Sequence, residues 1–74
     1  MRFVAQIPEK LQEQNIKWLI LEEDEEDTGG VYLYCHKSLS EESEYDGWYE
    51  DMRKAQKQAQ MQWGVGTNDW RVYP

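Results

Sequence analysis

Alternation of apolar and polar residues predicts three strands in the first half of the chain. Residues 3–7, 16–23 and 31–37 each place apolar side chains at every second position, which is the period of a strand. The second and third runs also carry apolar or aromatic side chains on the opposite face. We therefore expect one face of the sheet to meet a helix, and the other to meet solvent, the chain ends or a partner.

A helical period appears in the last third of the chain. Apolar side chains recur there at spacings of three, four and four residues, as on one stripe of a helix. Asp51 suits the N-cap position, and Gly64 suits the end because glycine readily adopts the left-handed conformation found there. The sequence thus predicts a helix over residues 51–63. Its apolar stripe consists of Met52, Ala55, Ala59 and Trp63.

The remaining segments complete a predicted α+β fold of one small domain, residues 1–74. Residues 8–13 favour one turn of helix, and the polar residues 24–30 indicate a hairpin loop. Residues 38–46 are predicted as a polar loop, followed by a short strand at Trp48 and Tyr49. Residues 70–73 are predicted to return as a brief strand or clasp. We expect an antiparallel sheet of three to four strands, with one C-terminal helix packed on one face.

Composition narrows the class of protein. The chain has 74 residues, with four tryptophans, five tyrosines and one phenylalanine to supply buried surface. Its single cysteine, Cys35, excludes an internal disulfide. The longest strongly apolar run, residues 18–21, is far shorter than a membrane span, and the N-terminus lacks a signal-peptide pattern. These features predict a cytoplasmic protein that does not enter membranes.

The negative charge is concentrated in the first two thirds of the chain. Residues 1–50 contain 13 acids against four Lys/Arg, a balance of −9, and residues 51–74 contain two against four, a balance of +2. The sum of −7 disfavours nucleic acids and anionic membranes, both of which are negatively charged. It permits a basic protein as partner.

The acidic run at residues 22–27 has three interpretations. It suits a solvated hairpin loop, a partner-binding patch or a cation site. Calcium loops alternate ligands with spacers and place a glycine and a distal glutamate at fixed positions, and this run lacks that spacing. The sequence therefore favours the solvated loop, with the patch as the alternative, and predicts no metal.

No combination of residues predicts catalysis. Cys35 and His36 are neighbours on a strand, so their side chains point to opposite faces, and we expect Cys35 to be buried. Ser38, Ser40 and Ser43 lack a nucleophile motif. The carboxylates of residues 41–46 lack an evident pocket that would separate their pKa values. We predict a protein that is not an enzyme and uses no cofactor.

The predicted helix also has an exposed side. Arg53, Lys54 and Lys57 lie opposite its apolar stripe, and Met61 falls among them as a candidate contact residue. Trp48, Trp63 and Trp70 are expected to serve as core or clasp residues. An exposed tryptophan would instead be a candidate interface anchor.

Residues 48–55, 63–65 and 69–70 carry a resemblance. Their aromatic strand end, capped alanine-spaced helix, Trp-Gly-Val exit and late tryptophan resemble small, largely uncharacterised acidic bacterial proteins of immunity-protein type. The strand–helix unit is also loosely similar to that of HicB-like antitoxins, from which the chain departs by its acidic insertion at residues 41–46. The resemblance covers about one third of the chain and transfers no functional residue. It implies an inhibitor that neutralises an enzyme.

These observations lead to a functional hypothesis with one alternative. We expect a protein-binding module of inhibitor or immunity type, whose acidic loops cover a basic site on a protein partner. The alternative is a self-associating protein that forms a homodimer through an apolar sheet face. The candidate partner-binding residues are Glu22, Glu23, Asp24, Glu25, Glu26, Asp27, Glu41, Glu42, Glu44, Asp46 and Met61.

Overall fold

A computed structural model describes all residues, 1–74, and contains one antiparallel sheet and one α-helix. The α+β class is therefore confirmed, but the predicted number of three to four strands is wrong, because the sheet has five. The strand order is β4-β3-β2-β1-β5, so β4 and β5 are the two edges. The elements are β1 (Arg2–Gln6), β2 (Trp18–Glu23), β3 (Val31–His36), β4 (Tyr45–Tyr49), α1 (Met52–Trp63) and β5 (Arg71–Tyr73).

The two edge strands account for the difference in strand number. β4 begins at Tyr45, three residues before the predicted Trp48, because Tyr45 and Asp46 pair with Cys35 and Tyr34 of β3. The polar context of these two residues hides that pairing from a hydrophobicity pattern. β5 is only three residues long and pairs with β1. Residues 70–73 were predicted to form a brief strand or a clasp, and the strand is the alternative that the structure shows.

One sheet face packs against α1 and forms the core. Leu19 and Leu21 of β2 and Leu33 of β3 lie on this face and are almost wholly buried. Ala55 and Ala59 of the helix are fully buried, as their predicted contact with the sheet requires. The absence of bulky side chains at these positions lets the helix backbone approach the sheet closely.

The ends of α1 follow the sequence signals. The Asp51 carboxylate accepts a hydrogen bond from the Lys54 backbone N–H at 2.9 Å and caps the first turn. Gly64 closes the helix in the left-handed region, with φ 70°. A Cβ atom at this position would also collide with Leu11 Cδ1, from the short 3-10 turn Glu9–Leu11. The predicted turn of helix at residues 8–13 is thus present, in a tighter form.

The opposite sheet face has no second layer and is called here the open face. Strand alternation places Trp18 and Ile20 of β2 on it, beside Tyr34 and His36 of β3. Trp48 of β4 extends the same face to the sheet edge. Strand pairing therefore arranges a row of aromatic side chains on the side of the sheet that the helix does not cover.

No helix of the chain has the length and apolar character needed to cross a membrane.

Candidate functional site

The two acidic loops lie at opposite ends of edge strand β4. The loop from Ser38 to Glu44 leads directly into its first residue, Tyr45. The β2–β3 hairpin lies beside its other end, where Tyr49 pairs with Val31. A strand of five residues is about 17 Å long, so the loops are separated by that distance. Acids that are about fifteen residues apart in sequence thereby flank one exposed strand.

Thr28 organises the acidic hairpin. Its hydroxyl donates to Asp24 Oδ2 at 2.9 Å, and its backbone N–H donates to the same oxygen at 3.3 Å. The Thr28 Oγ1 accepts from the Gly30 N–H at 3.1 Å and from the Trp48 indole N–H at 2.9 Å. Backbone bonds between Asp24 and Gly30 close the loop. The acidic loop therefore has a defined shape and is tied to β4 by a tryptophan.

Trp48 is exposed, contrary to the expectation of a core or clasp residue. Its ring lies directly over Gly30, where a Cβ atom would overlap three ring atoms. The side chain nevertheless remains 46% exposed, because it lies on the open face at the sheet edge. Trp63 is buried in the core, and Trp70 packs half-buried against it. Trp48 is therefore the tryptophan that meets the criterion for an interface anchor.

The loop between β3 and β4 is held at two points. His36 Nδ1 lies 3.1 Å from the Glu41 carbonyl oxygen. The Lys37 Nζ lies 2.9 Å from Glu44 Oε1, and this hydrogen-bonded ion pair raises the pKa of the Lys37 ammonium. Leu39 lines a shallow depression on the open face together with Ile20 and Tyr34, so the loop turns back over that face. These contacts position Glu41 and Glu42 at the N-terminal end of β4.

The predicted partner-binding acids fall into two groups. Glu22 lies on the open face 4.0 Å from Arg2, and Glu44 pairs with Lys37. Asp24 is occupied by Thr28, and Glu23 is a partly buried residue of β2. The other six carboxylates are exposed and make no ion pair. We call these six together with Trp48 the acidic edge: Glu25, Glu26, Asp27, Glu41, Glu42, Asp46 and Trp48.

Met61 does not belong to the acidic edge. Its side chain is 72% exposed, and helical spacing places it opposite the buried stripe of α1. It therefore lies on the outer side of the helix, with Lys57 among its exposed neighbours. The structure thus separates Met61 from the acidic residues with which the sequence grouped it.

The open face carries an aromatic surface that extends from the acidic edge. The Tyr32 and Tyr34 rings stack with centroids 5.8 Å apart, and the Arg2 guanidinium carbon lies 5.4 Å from the Tyr73 ring centroid. Burial, followed by the nearby negative charge of Glu22, raises the pKa of the Tyr34 hydroxyl. Tyr34 therefore keeps its proton at physiological pH.

A pocket beneath β4 could not be found from the sequence. It has a volume of about 340 Å³ and lies between β4, the end of α1 and the segment before β2. Tyr45 and Gln14 both line it, and the Tyr45 hydroxyl donates to Gln14 Oε1 at 2.8 Å. Gln14 and Asn15 are the two non-glycine residues with positive φ, at 54° and 65°. The hydrophobicity pattern does not indicate this left-handed turn, although asparagine is among the residues that adopt it most often.

The chemistry of the candidate nucleophile follows from its burial. Cys35 is buried in the core, as predicted, and this desolvation raises the pKa of its thiol to about 11. His36 lies on the opposite sheet face, so it cannot take the thiol proton. Nowhere in the chain do three or more histidine, cysteine or acidic residues group in a way that could hold a metal ion.

Comparisons with protein-family models, with curated proteins and with solved structures find no match for this chain.

Proposed function

We propose that this protein is a non-enzymatic binding module that recognises a basic surface on a protein partner through its acidic edge. The observation that carries the proposal is the placement of six unpaired carboxylates around one exposed edge strand. Trp48 lies among them and supplies the apolar anchor that a charged surface alone would lack.

The electrostatics support a basic partner. The net charge of −7 repels acidic surfaces and attracts basic ones over the range set by ionic screening. The unpaired acids keep their attraction for a partner, because no cation of this chain neutralises them. Complementary charge of this kind mainly accelerates association and selects among partners.

The mode of action that fits this surface is inhibition by coverage. A partner enzyme with a basic active site or substrate groove would be blocked if the acidic edge occupied it. This proposal accords with the resemblance of the C-terminal third to immunity-type proteins. It requires no catalytic group in the chain, since binding alone produces the effect.

Capture from the native lysate, at low and at moderate salt, tests the proposal. The bait is compared with a triple variant, Glu25→Gln, Glu26→Gln and Trp48→Ala, and with an Asp69→Asn control, in which the changed acid lies outside the acidic edge. We expect one basic protein to be retained by the native bait and the control, and to be lost with the triple variant. Retention of the protein by all three baits would contradict the proposal. Retention that is equally strong at low and at moderate salt would also contradict it.

The open face favours a second candidate function, self-association. The stacked pair Tyr32 and Tyr34 lies on this face beside the buried Ile20, and both tyrosines remain partly exposed. Two copies could bury these faces against each other as a symmetric dimer. Sedimentation velocity over a hundredfold concentration range tests this candidate. A monomer throughout the range would remove it, whereas a concentration-dependent dimer abolished by Tyr34→Glu would support it.

A further inference from the structure

Gly47 stands in the middle of β4, although its backbone does not require a glycine. Its φ is not positive, so any residue could adopt the same conformation. A glycine weakens the interior of a strand and often marks a site where a ligand or another backbone approaches closely. A residue that is unfavourable for the strand therefore occupies the centre of the exposed edge.

The missing side chain opens the pocket beneath β4. Gly47 pairs with Leu33, which points toward α1, so a Cβ at Gly47 would point to the same side. Such a Cβ would lie 3.3 Å from the Tyr49 ring, which lines the pocket with Leu33 and Gly47 itself. Any larger side chain at this position would occupy the space that is now about 340 Å³.

The residues that line the pocket favour a cationic ligand. Its charged residues are Glu13 and Asp46, both acidic, and no lysine or arginine lines it. Because Asp46 pairs with Tyr34, its side chain points to the open face, so Glu13 supplies the carboxylate on the pocket side. The walls include the aromatic residues Tyr49 and Trp63. The Trp63 indole nitrogen has no exposed surface, so this residue offers the pocket no hydrogen-bond donor. An anion would find no positive charge here, whereas a cation with an apolar stem would contact both aromatic and acidic groups.

We propose that this pocket binds an arginine side chain of the basic partner. This proposal rests on the proposed function and names the partner group that would be recognised. A planar guanidinium stacks on aromatic rings and donates hydrogen bonds in a fixed plane. The amide oxygens of Gln14 and Gln62 each accept one hydrogen bond within the chain, from Tyr45 and Gln58, and each retains a second acceptor position.

The rim of the pocket has the features of a ligand clamp. The Tyr45–Gln14 hydrogen bond joins residues 31 positions apart, and both side chains are exposed. It can therefore exchange with water and open without disturbing the core. The positive φ angles of Gln14 and Asn15 add backbone strain, which is often found at clamps of this type.

Titration with N-acetyl-arginine amide, followed by 1H–15N NMR, tests the proposal directly. N-acetyl-citrulline amide has nearly the same shape without the charge and serves as the matched probe. We expect saturable shifts of the Gly47 amide and of the Trp63 indole N–H with the arginine probe. Binding of the citrulline probe should be weaker by about fivefold or more, because it lacks the cation–aromatic and ionic attraction. Equal binding of the two probes, or no saturable shift, would overturn the proposal.

Two single substitutions on the exposed surface of α1 test whether the arginine probe binds in this pocket. Gln62→Lys places a positive charge at the pocket, and Gln60→Lys makes the same change on the other flank of α1, outside the lining. We expect Gln62→Lys to weaken arginine binding by about fivefold or more and Gln60→Lys to change it by less than about twofold. Equal effects of the two variants would contradict the assigned site.

The arginine titration and the capture experiment can fail independently of each other. If the arginine probe fails to bind while the acidic-edge variant still loses its captured protein, the pocket assignment alone is wrong. If the captured protein does not depend on the acidic edge, the proposed function is wrong whatever the arginine titration shows.

Discussion

At the scale of single residues, the organiser of the acidic hairpin is an uncharged side chain. Thr28 joins Asp24, Gly30 and Trp48 through one hydroxyl and its own backbone N–H. The sequence showed the six consecutive acids clearly, but nothing in it indicated which neighbour would hold them in place. That information lies in the pairing of β3 with β4, which brings Trp48 next to the hairpin.

Thr28→Val removes this hydroxyl while preserving the shape of the side chain. The Trp48 indole and the Gly30 N–H would both lose their acceptor, so we expect the free energy of unfolding to fall by about 1–2 kcal/mol. Hydrogen exchange at Gly30 should accelerate. Urea denaturation measures the first effect, with Thr67→Val as the control at an exposed loop position. An equal loss of stability in both variants would show that the Thr28 hydroxyl has no special role.

Cys35 gives a prediction about alkaline pH. The thiol keeps its proton up to about pH 11 in the folded protein, whereas in the unfolded chain it ionises near the ordinary pKa of 9.0. Between these values the unfolded chain has lost the proton, so a rise in pH favours unfolding. The free energy of unfolding should fall between about pH 9 and 11, with a slope from this group of at most about 1.4 kcal/mol per pH unit.

The Cys35→Ala variant isolates this contribution. Urea denaturation at pH 8, 9, 10 and 11 should show a shallower decline in the variant than in the native protein. Some decline will remain, because burial also raises the pKa values of Tyr34 and Tyr49 above 10.0 and these groups act in the same direction. Identical slopes for both proteins would contradict a buried, neutral thiol.

At the scale of elements, the helix was predictable in full, whereas the edge strands were predicted only in part. The Asp51 cap, the alanine spacing and Gly64 are local signals, and each acts in the structure as the sequence indicated. β4 lacks such a signal, because its first two residues belong to a polar segment and Gly47 interrupts its centre. Its pairing with β3 depends on a partner strand that a local pattern does not show.

The N-cap of α1 can be tested by substitution. Asp51→Ala removes the acceptor of the Lys54 N–H, and we expect a loss of about 1 kcal/mol in the free energy of unfolding. Asp51→Ser keeps an acceptor at the same position and should retain most of the stability. Thermal denaturation followed by circular dichroism measures both variants. If serine proved as destabilising as alanine, the effect would come from the charge of Asp51 and not from the cap.

At the scale of the whole molecule, sheet order converts a diffuse acidic composition into one surface. The sequence predicted acidic loops but not their relation to each other, since that relation depends on β4 lying at the edge. It also grouped Met61 with the acids, although helical rotation places this residue elsewhere. The α+β class and the packing of the helix on one sheet face were predictable because strand and helix periods determine them.

Hydrogen–deuterium exchange on the complex with the captured partner tests the central claim most directly. We expect protection of residues 45–49, 24–28 and 41–44 on binding, because these segments form the acidic edge and its supports. Exchange in β5 and along the outer surface of α1 should not change. Protection confined to β5 or α1, with no change at β4 and the acidic loops, would contradict the assignment of the acidic edge as the binding surface.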